Sequence, residues 1–228
     1  REDIVSLIKK AQLVDAKIIY FANPDNPMGT SLHGEKIVKA LEDLPKGCLL
    51  ILDEAYSEFA PASSLPNLEI TDTRVVRLRT FSKAYGLAGA RVGYAMAEKN
   101  LIKSFEKIRN HFGMNRSAQK AALEALSDNQ WLLEMVEKVE EGRQRIYKIA
   151  ASNNLKSITS STNFVAIDCD RDGSFAKKVL KELISLGIFA RMPFVSPQDR
   201  CIRVSVGKKR DLDRFEKALP IALERAAK

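Results

Sequence analysis

The stretch Arg79-Thr80-Phe81-Ser82-Lys83-Ala84-Tyr85-Gly86-Leu87-Ala88-Gly89-Ala90-Arg91-Val92-Gly93-Tyr94 holds the densest chemical pattern in the chain. One lysine lies close to three glycines, with a serine before it and an arginine eight residues after it. A desolvated lysine amine can condense with a carbonyl. Serine and arginine are residue types that hold a phosphate, arginine through its bidentate fork. Glycines permit positive φ and close backbone approach. A lone Ser-Lys pair would be a solvated surface feature, but S-K-x-x-G-L-x-G-x-R-x-G-Y as a whole points to a loop wrapped around a ligand. Three further side chains stand upstream: Asn26 in a turn-rich loop, Asp53 at the end of an apolar run, and Tyr56 just after it. Taken singly, Asp53 reads as a strand-end acid, Tyr56 as a packing residue with a satisfied hydroxyl, and Asn23 and Asn26 as ordinary turn residues.

These residues need a scaffold, and the apolar spacing supplies one. Ile4, Leu7, Ile8 and Ala11 have helical spacing, and Lys17 to Phe21 reads as a short strand. Residues 23–30, with two prolines and a glycine, form a loop, and residues 31–44 form a helix with Ile37, Val38, Leu41 and Leu44 on one face. Cys48 to Leu52 is an apolar run of the kind buried on both faces of a parallel sheet. Arg74 to Leu78 and Val92 to Ala97 add two strands, and this alternation defines an α/β layer fold. Asp53, at the end of a buried strand, stands where ligands of open α/β sheets gather. The second half changes character. A long amphipathic helix spans 131–151, with Gly142 inside it costing roughly 1 kcal/mol against alanine. A strand (163–168), a helix (174–186), a strand-like stretch (188–191), a strand (201–206) and a last helix (211–226) follow, as a small α+β domain. The expected division is residues 1–128 and residues 129–228.

Composition excludes several classes. The 228 residues are 45% hydrophobic and lack a run long and apolar enough to span a bilayer. The net charge of +8, from 37 Lys and Arg against 29 Asp and Glu, is spread over helical segments of mixed sign such as Glu134 to Arg143. That pattern describes a solvated helix surface, without the basic stripe and interleaved aromatics of a nucleic-acid binder. Cys48, Cys169 and Cys201 are odd in number and widely spaced, which suits buried structural thiols in a reducing, cytoplasmic compartment. Only His33 and His111 are present, so no metal site is expected. Arg1-Glu2-Asp3 is neither an initiator methionine nor a signal peptide and reads as the interior of a longer chain.

Three segments, in order, resemble a known family. Asn23-Pro24-Asp25-Asn26-Pro27-Met28-Gly29 is similar to the N-P-x-N-P-T-G loop of the fold-type-I aminotransferases, with Met28 in place of threonine. Asp53-Glu54-Ala55-Tyr56 is similar to their D-E-A-Y segment, and the lysine segment to their cofactor-lysine motif. The wording Arg79-Thr80-Phe81-Ser82-Lys83 and Tyr56-Ser57-Glu58-Phe59 looks most like the histidinol-phosphate aminotransferases within that family. The resemblance implies a mainly parallel-sheet large domain, N-terminally truncated here, plus a small C-terminal domain, in a homodimer whose subunits share sites. It implies pyridoxal 5'-phosphate as cofactor, bound covalently by Lys83, which then shuttles the proton. Asp53 would pair with the pyridine nitrogen, Asn26 and Tyr56 would hydrogen-bond the ring oxygen, and Ser82 and Arg91 would bind the phosphate. Cys201 to Gly207 resembles the strand whose arginine grips the substrate carboxylate, here Arg203, and Arg191 stands where an arginine faces the substrate phosphate. The implied reaction is transamination of histidinol phosphate with 2-oxoglutarate or glutamate, in histidine biosynthesis. The same residues also serve transamination of aromatic amino acids and decarboxylation of an amino-acid phosphate. A non-catalytic sensing module could dispense with Lys83, and its presence disfavours that reading.

Overall fold

The computed structural model describes residues 2–228. They form two units, one of residues up to Asp25 with Ser31–Val136, the other of Asn26–Thr30 with Glu137–Lys228. The first contains α1 (Ile4–Leu13), β1 (Ile18–Ala22), α2 (Gly34–Ala40), β2 (Leu49–Asp53), β3 (Val75–Thr80), β4 (Gly93–Met96), α3 (Lys99–Phe105) and α4 (Arg116–Ser127). The strands lie in the order β1-β2-β3-β4. The first three are parallel, and β4 runs antiparallel to β3. The α/β class expected from the strand–helix alternation therefore holds.

Local chemistry explains where these elements start. Asp3 caps α1, its carboxylate accepting the Val5 and Ser6 amides at 3.0 and 3.2 Å, which satisfies two otherwise orphan donors. Ile4, Ile8 and Ala11 then face inward against Ile37, Leu50 and Leu52, all three fully buried. Each such side chain contributes roughly 1.5–3 kcal/mol by leaving water. The β2 run is not buried on both faces as expected. Leu50 and Leu52 are buried, whereas Leu49, Ile51 and Asp53 are only partly covered, because successive residues of a strand face opposite sides. Two helices, α3 and α4, are not marked by apolar spacing in the sequence. The buried stripe of α4 is Ala118 and Ala122, and alanines carry little periodic signal. α3 is seven residues long with no buried residue.

In the second unit come α5 (Asn129–Ser152, which begins in the first unit), β5 (Lys156–Ser157), β6 (Phe164–Asp168), α6 (Gly173–Ser185), β7 (Cys201–Ser205) and α7 (Lys209–Ala227). Its sheet is antiparallel in the order β5-β6-β7. α5 continues through Gly142, where a Cβ would stand 2.4 Å from Val206 Cγ1, so the glycine admits a close approach and does not break the helix. The expected strand at 188–191 is a single bridge, Arg191 opposite Arg203. Its apolar residues are not held in a sheet: Phe189 is 77% exposed, and Pro193, lacking an N–H, cannot extend the pairing.

All three cysteines are free and buried. Burial pushes the Cys169 thiol up to about 12 and the Cys201 thiol up to about 11, and raises Cys48 as well. At pH 8 the thiolate fraction of Cys201 is then on the order of 10⁻³, and the thiolate is the reactive species. Native protein should therefore resist iodoacetamide over the time in which urea-unfolded protein takes up three labels. Labelling of a native thiol at the unfolded rate would contradict these shifts. Among the described residues no helix is long and apolar enough to cross a membrane, and no three His, Cys, Asp or Glu side chains gather as a metal group.

Candidate active site

Asp53 is the last residue of β2, paired in register with Ala22 of β1 and Leu78 of β3. It thus stands at the carboxyl end of three parallel strands, the usual ligand-binding edge. Its Oδ1 accepts the Ala55 amide at 2.9 Å, and its Oδ2 accepts the hydroxyl of Tyr20. Nothing local in the sequence marks Tyr20, which lies in the apolar run Lys17 to Phe21. The strand register could have found it, since Ala22 lies opposite Asp53 and Tyr20 is two residues before Ala22, on the same face. Burial, and then the neighbouring Asp53 carboxylate, raise the Tyr20 phenol above its ordinary value.

The lysine-bearing loop leaves β3 at Thr80. Thr80 Oγ1 donates to Ser82 Oγ at 3.0 Å and accepts the Ser82 amide at 3.1 Å, which fixes the serine. Phe81 anchors the loop from below, packed on Tyr85 and Tyr94 with ring centroids 5.0 and 5.6 Å away and against Val92, Ala118 and Ala122. Lys83 Nζ lies 5.1 Å from the ring centroid of Tyr56. Arg91 adopts the left-handed region at φ 54, with Nη1 donating to Ala88 O at 2.8 Å. A non-glycine residue held there is strained, a feature common at ligand-binding positions. Asp53, Ser82, Lys83 and Arg91 line one open cavity of about 350 Å³, together with Ala55, Leu78, Arg79 and Thr80. Tyr56 is buried and is not among the lining residues.

Asn26, Arg191 and Arg203 belong to the second unit. Arg203 Nη1 donates to Asn26 Oδ1, and the guanidinium lies over the Phe164 ring at 4.7 Å. Arg191 is exposed and shares two main-chain bonds with Arg203, N–H to O at 3.1 Å in one direction and 2.6 Å in the other. Asn26 opens a loop seated on β6 and β7. Met28 is buried beside Ala166 and Cys201, and the Gly29 carbonyl accepts the Ser161 amide at 2.7 Å. Gly29 has φ 79, and a Cβ there would stand 2.6 Å from Ser160 Oγ, so both conformation and space require glycine. In the first unit, Asn23 anchors the approach to this loop. Its amide donates to Ser64 O at 2.8 Å and its oxygen accepts the Leu32 amide at 2.7 Å.

A carboxylate at a strand end, a lysine and a serine–arginine pair thus line one cavity. The chain belongs to the aminotransferase class I and II family, whose sequence profile matches residues 1–219. Among curated relatives it is 36% identical to histidinol-phosphate aminotransferase 2 of Carboxydothermus hydrogenoformans, over 98% of this chain and 63% of that protein. It is 38% identical to histidinol-phosphate aminotransferase of Bacillus licheniformis, over 89% of this chain and 56% of that protein. The crystal structure of histidinol-phosphate aminotransferase from Sinorhizobium meliloti in complex with pyridoxal-5'-phosphate matches with a TM-score of 0.96 at 46% identity, covering 99% of this chain and 62% of that one. The chain thus spans about three fifths of the length of these relatives.

Proposed function

We propose that the full-length protein is a pyridoxal-phosphate-dependent aminotransferase that moves the amino group between histidinol phosphate and 2-oxoglutarate or glutamate, acting as a homodimer. The single observation that carries the chemistry is the convergence of Asp53, Ser82, Lys83 and Arg91 on one cavity. The names of the relatives carry the choice of donor.

The residues present fit the cofactor. A carboxylate suits a protonated pyridine nitrogen, an amine suits the carbonyl, and a hydroxyl with a guanidinium suits a phosphate. When bound, pyridoxal phosphate supplies an electron sink for charge developing at the donor carbon. Asp53 holds a proton at the ring nitrogen, and its position at the end of a paired strand keeps the carboxylate still while it does so. Lys83 Nζ would hold the cofactor carbonyl and, once the donor amine displaces it, its freed amine would take the proton from the donor carbon and deliver it in the 1,3-transfer. Ser82 and Arg91 anchor the phosphate. Tyr56 and Asn26 are assigned the ring oxygen. For Asn26 the free end is the amide N–H₂, because its oxygen already accepts from Arg203. Arg203 is assigned the acid group of the substrate and Arg191 a substrate phosphate.

Initial rates with histidinol phosphate, phenylalanine and tyrosine as donors test the donor assignment, with product analysis to detect decarboxylation. Histidinol phosphate carries a phosphorylated hydroxymethyl group where an amino acid has its carboxylate, so the two arginines separate in the half-reactions. Arg203→Lys loses bidentate geometry and should weaken glutamate and 2-oxoglutarate by on the order of 2–5 kcal/mol, the range for one member of a desolvated charge pair. Arg191→Met should penalise histidinol phosphate and spare phenylalanine and tyrosine. Preference for an aromatic amino acid over histidinol phosphate, or no loss in either variant, would overturn the donor assignment.

A further inference from the structure

We propose that Glu54 is a positioning residue whose buried carboxylate, clamped by Arg77 and Arg79, fixes the strand end bearing Asp53 against the strand that leads to Lys83. The inference rests on the cofactor reading above and adds a residue to which that reading gives no part.

Glu54 follows Asp53 directly, and its side chain is 0% exposed. Oε1 accepts from Arg77 Nη2 at 2.7 Å, while Oε2 accepts from Arg77 Nε at 3.1 Å and from Arg79 Nε at 3.0 Å. The Glu54 amide donates to Leu78 O at 2.9 Å, so main chain and side chain both tie it to β3. Along β3, Leu78 and Thr80 line the cavity and alternate with the two arginines. Arg79 also lines the cavity, which brings the clamp into contact with the site. Its charge is opposed by burial and held by Glu54, whose effect together with that of Tyr94 prevails, so the guanidinium stays cationic. Glu58 is a further acid close by, its carboxyl raised by burial.

One carboxylate facing two guanidiniums on a buried face is a poor way to gain stability, since apolar side chains of similar volume often do as well or better. It is an effective way to select one arrangement, because a forked guanidinium meets a carboxylate in few orientations. The strands it joins are the one that ends in Asp53 and the one that leads into the loop bearing Lys83, four residues beyond Arg79. The clamp sits at the ends of these two strands, next to Asp53 and at the penultimate residue of β3.

The experiment compares wild type, Glu54→Gln, Glu54→Asp and Ile37→Ala in the full-length protein. The last removes buried carbon from the α2 core, away from the cavity. The readouts are the thermal midpoint without cofactor, the dissociation constant of pyridoxal phosphate, the visible circular dichroism of the bound cofactor, and kcat and KM. Glu54→Gln should weaken cofactor binding about tenfold, change the dichroism, and lower kcat by up to about a hundredfold with donor KM nearly constant, as expected for misplacement near 1 Å. Glu54→Asp should recover part of the dichroism and kcat. Ile37→Ala should lower the midpoint and leave cofactor affinity and dichroism unchanged. Should Glu54→Gln fail to fold, Glu54→Asp is read against wild type for intermediate changes of the same kind. A lowered midpoint with wild-type affinity and dichroism in the foldable Glu54 variants would overturn the positioning role alone. Failure of wild type to bind pyridoxal phosphate would overturn the cofactor reading, and this inference with it.

Discussion

Lys83→Ala in the full-length protein is expected to abolish both the covalent attachment of pyridoxal phosphate and transamination. Borohydride reduction of the loaded wild type should fix the label on the peptide containing Lys83, and the variant should give no labelled peptide. Loss of proton transfer alone removes roughly 10²–10⁴-fold in rate, and loss of the covalent anchor comes on top of that. The fold should survive. The contact of the amine with the Tyr56 ring, at 5.1 Å, is of a kind that contributes about 0.5–2 kcal/mol, and the loop is anchored by Phe81, Val92 and the aromatic pairs around them. Reduction that labels another lysine, or turnover within tenfold of wild type (a loss of about 1.4 kcal/mol), would remove Lys83 from the chemistry.

Asp53→Asn tests the electronic half of the site. The amide keeps the volume of the carboxylate, and its oxygen can still accept the Ala55 amide as Oδ1 does at 2.9 Å. What it cannot do is stabilise a proton on the pyridine nitrogen with a negative charge. The variant should bind cofactor and keep its thermal midpoint, yet turn over on the order of 10²–10³-fold more slowly, the scale set by removing one preorganised electrostatic contact. Reconstitution with an N-methylated cofactor analogue, whose ring nitrogen is permanently cationic, should restore part of the rate. Near-normal turnover without the analogue would reduce Asp53 to a strand-end residue that receives the Tyr20 hydroxyl.

The sequence by itself determined the α/β class, the helical spacing that yields α1, α5, α6 and α7, the family, and a loop that gathers Ser82, Lys83 and Arg91 within ten residues. These are local properties: apolar period, turn chemistry and dense motifs are written in neighbouring residues. Long-range register is not written there. Only tertiary structure decided that Tyr20 meets Asp53, because that contact depends on Ala22 pairing with Asp53 across two strands separated by a helix. Only tertiary structure showed that Glu54 is fully buried and tied to Arg77 and Arg79. In the sequence it is one more acid in a charged chain, and nothing local says which face of a strand will meet which cation. The alanine stripe of α4 and the single bridge at Arg191 have the same cause. Burial of a small side chain, like the extent of a strand pairing, is settled by the partner element and not by the residues themselves.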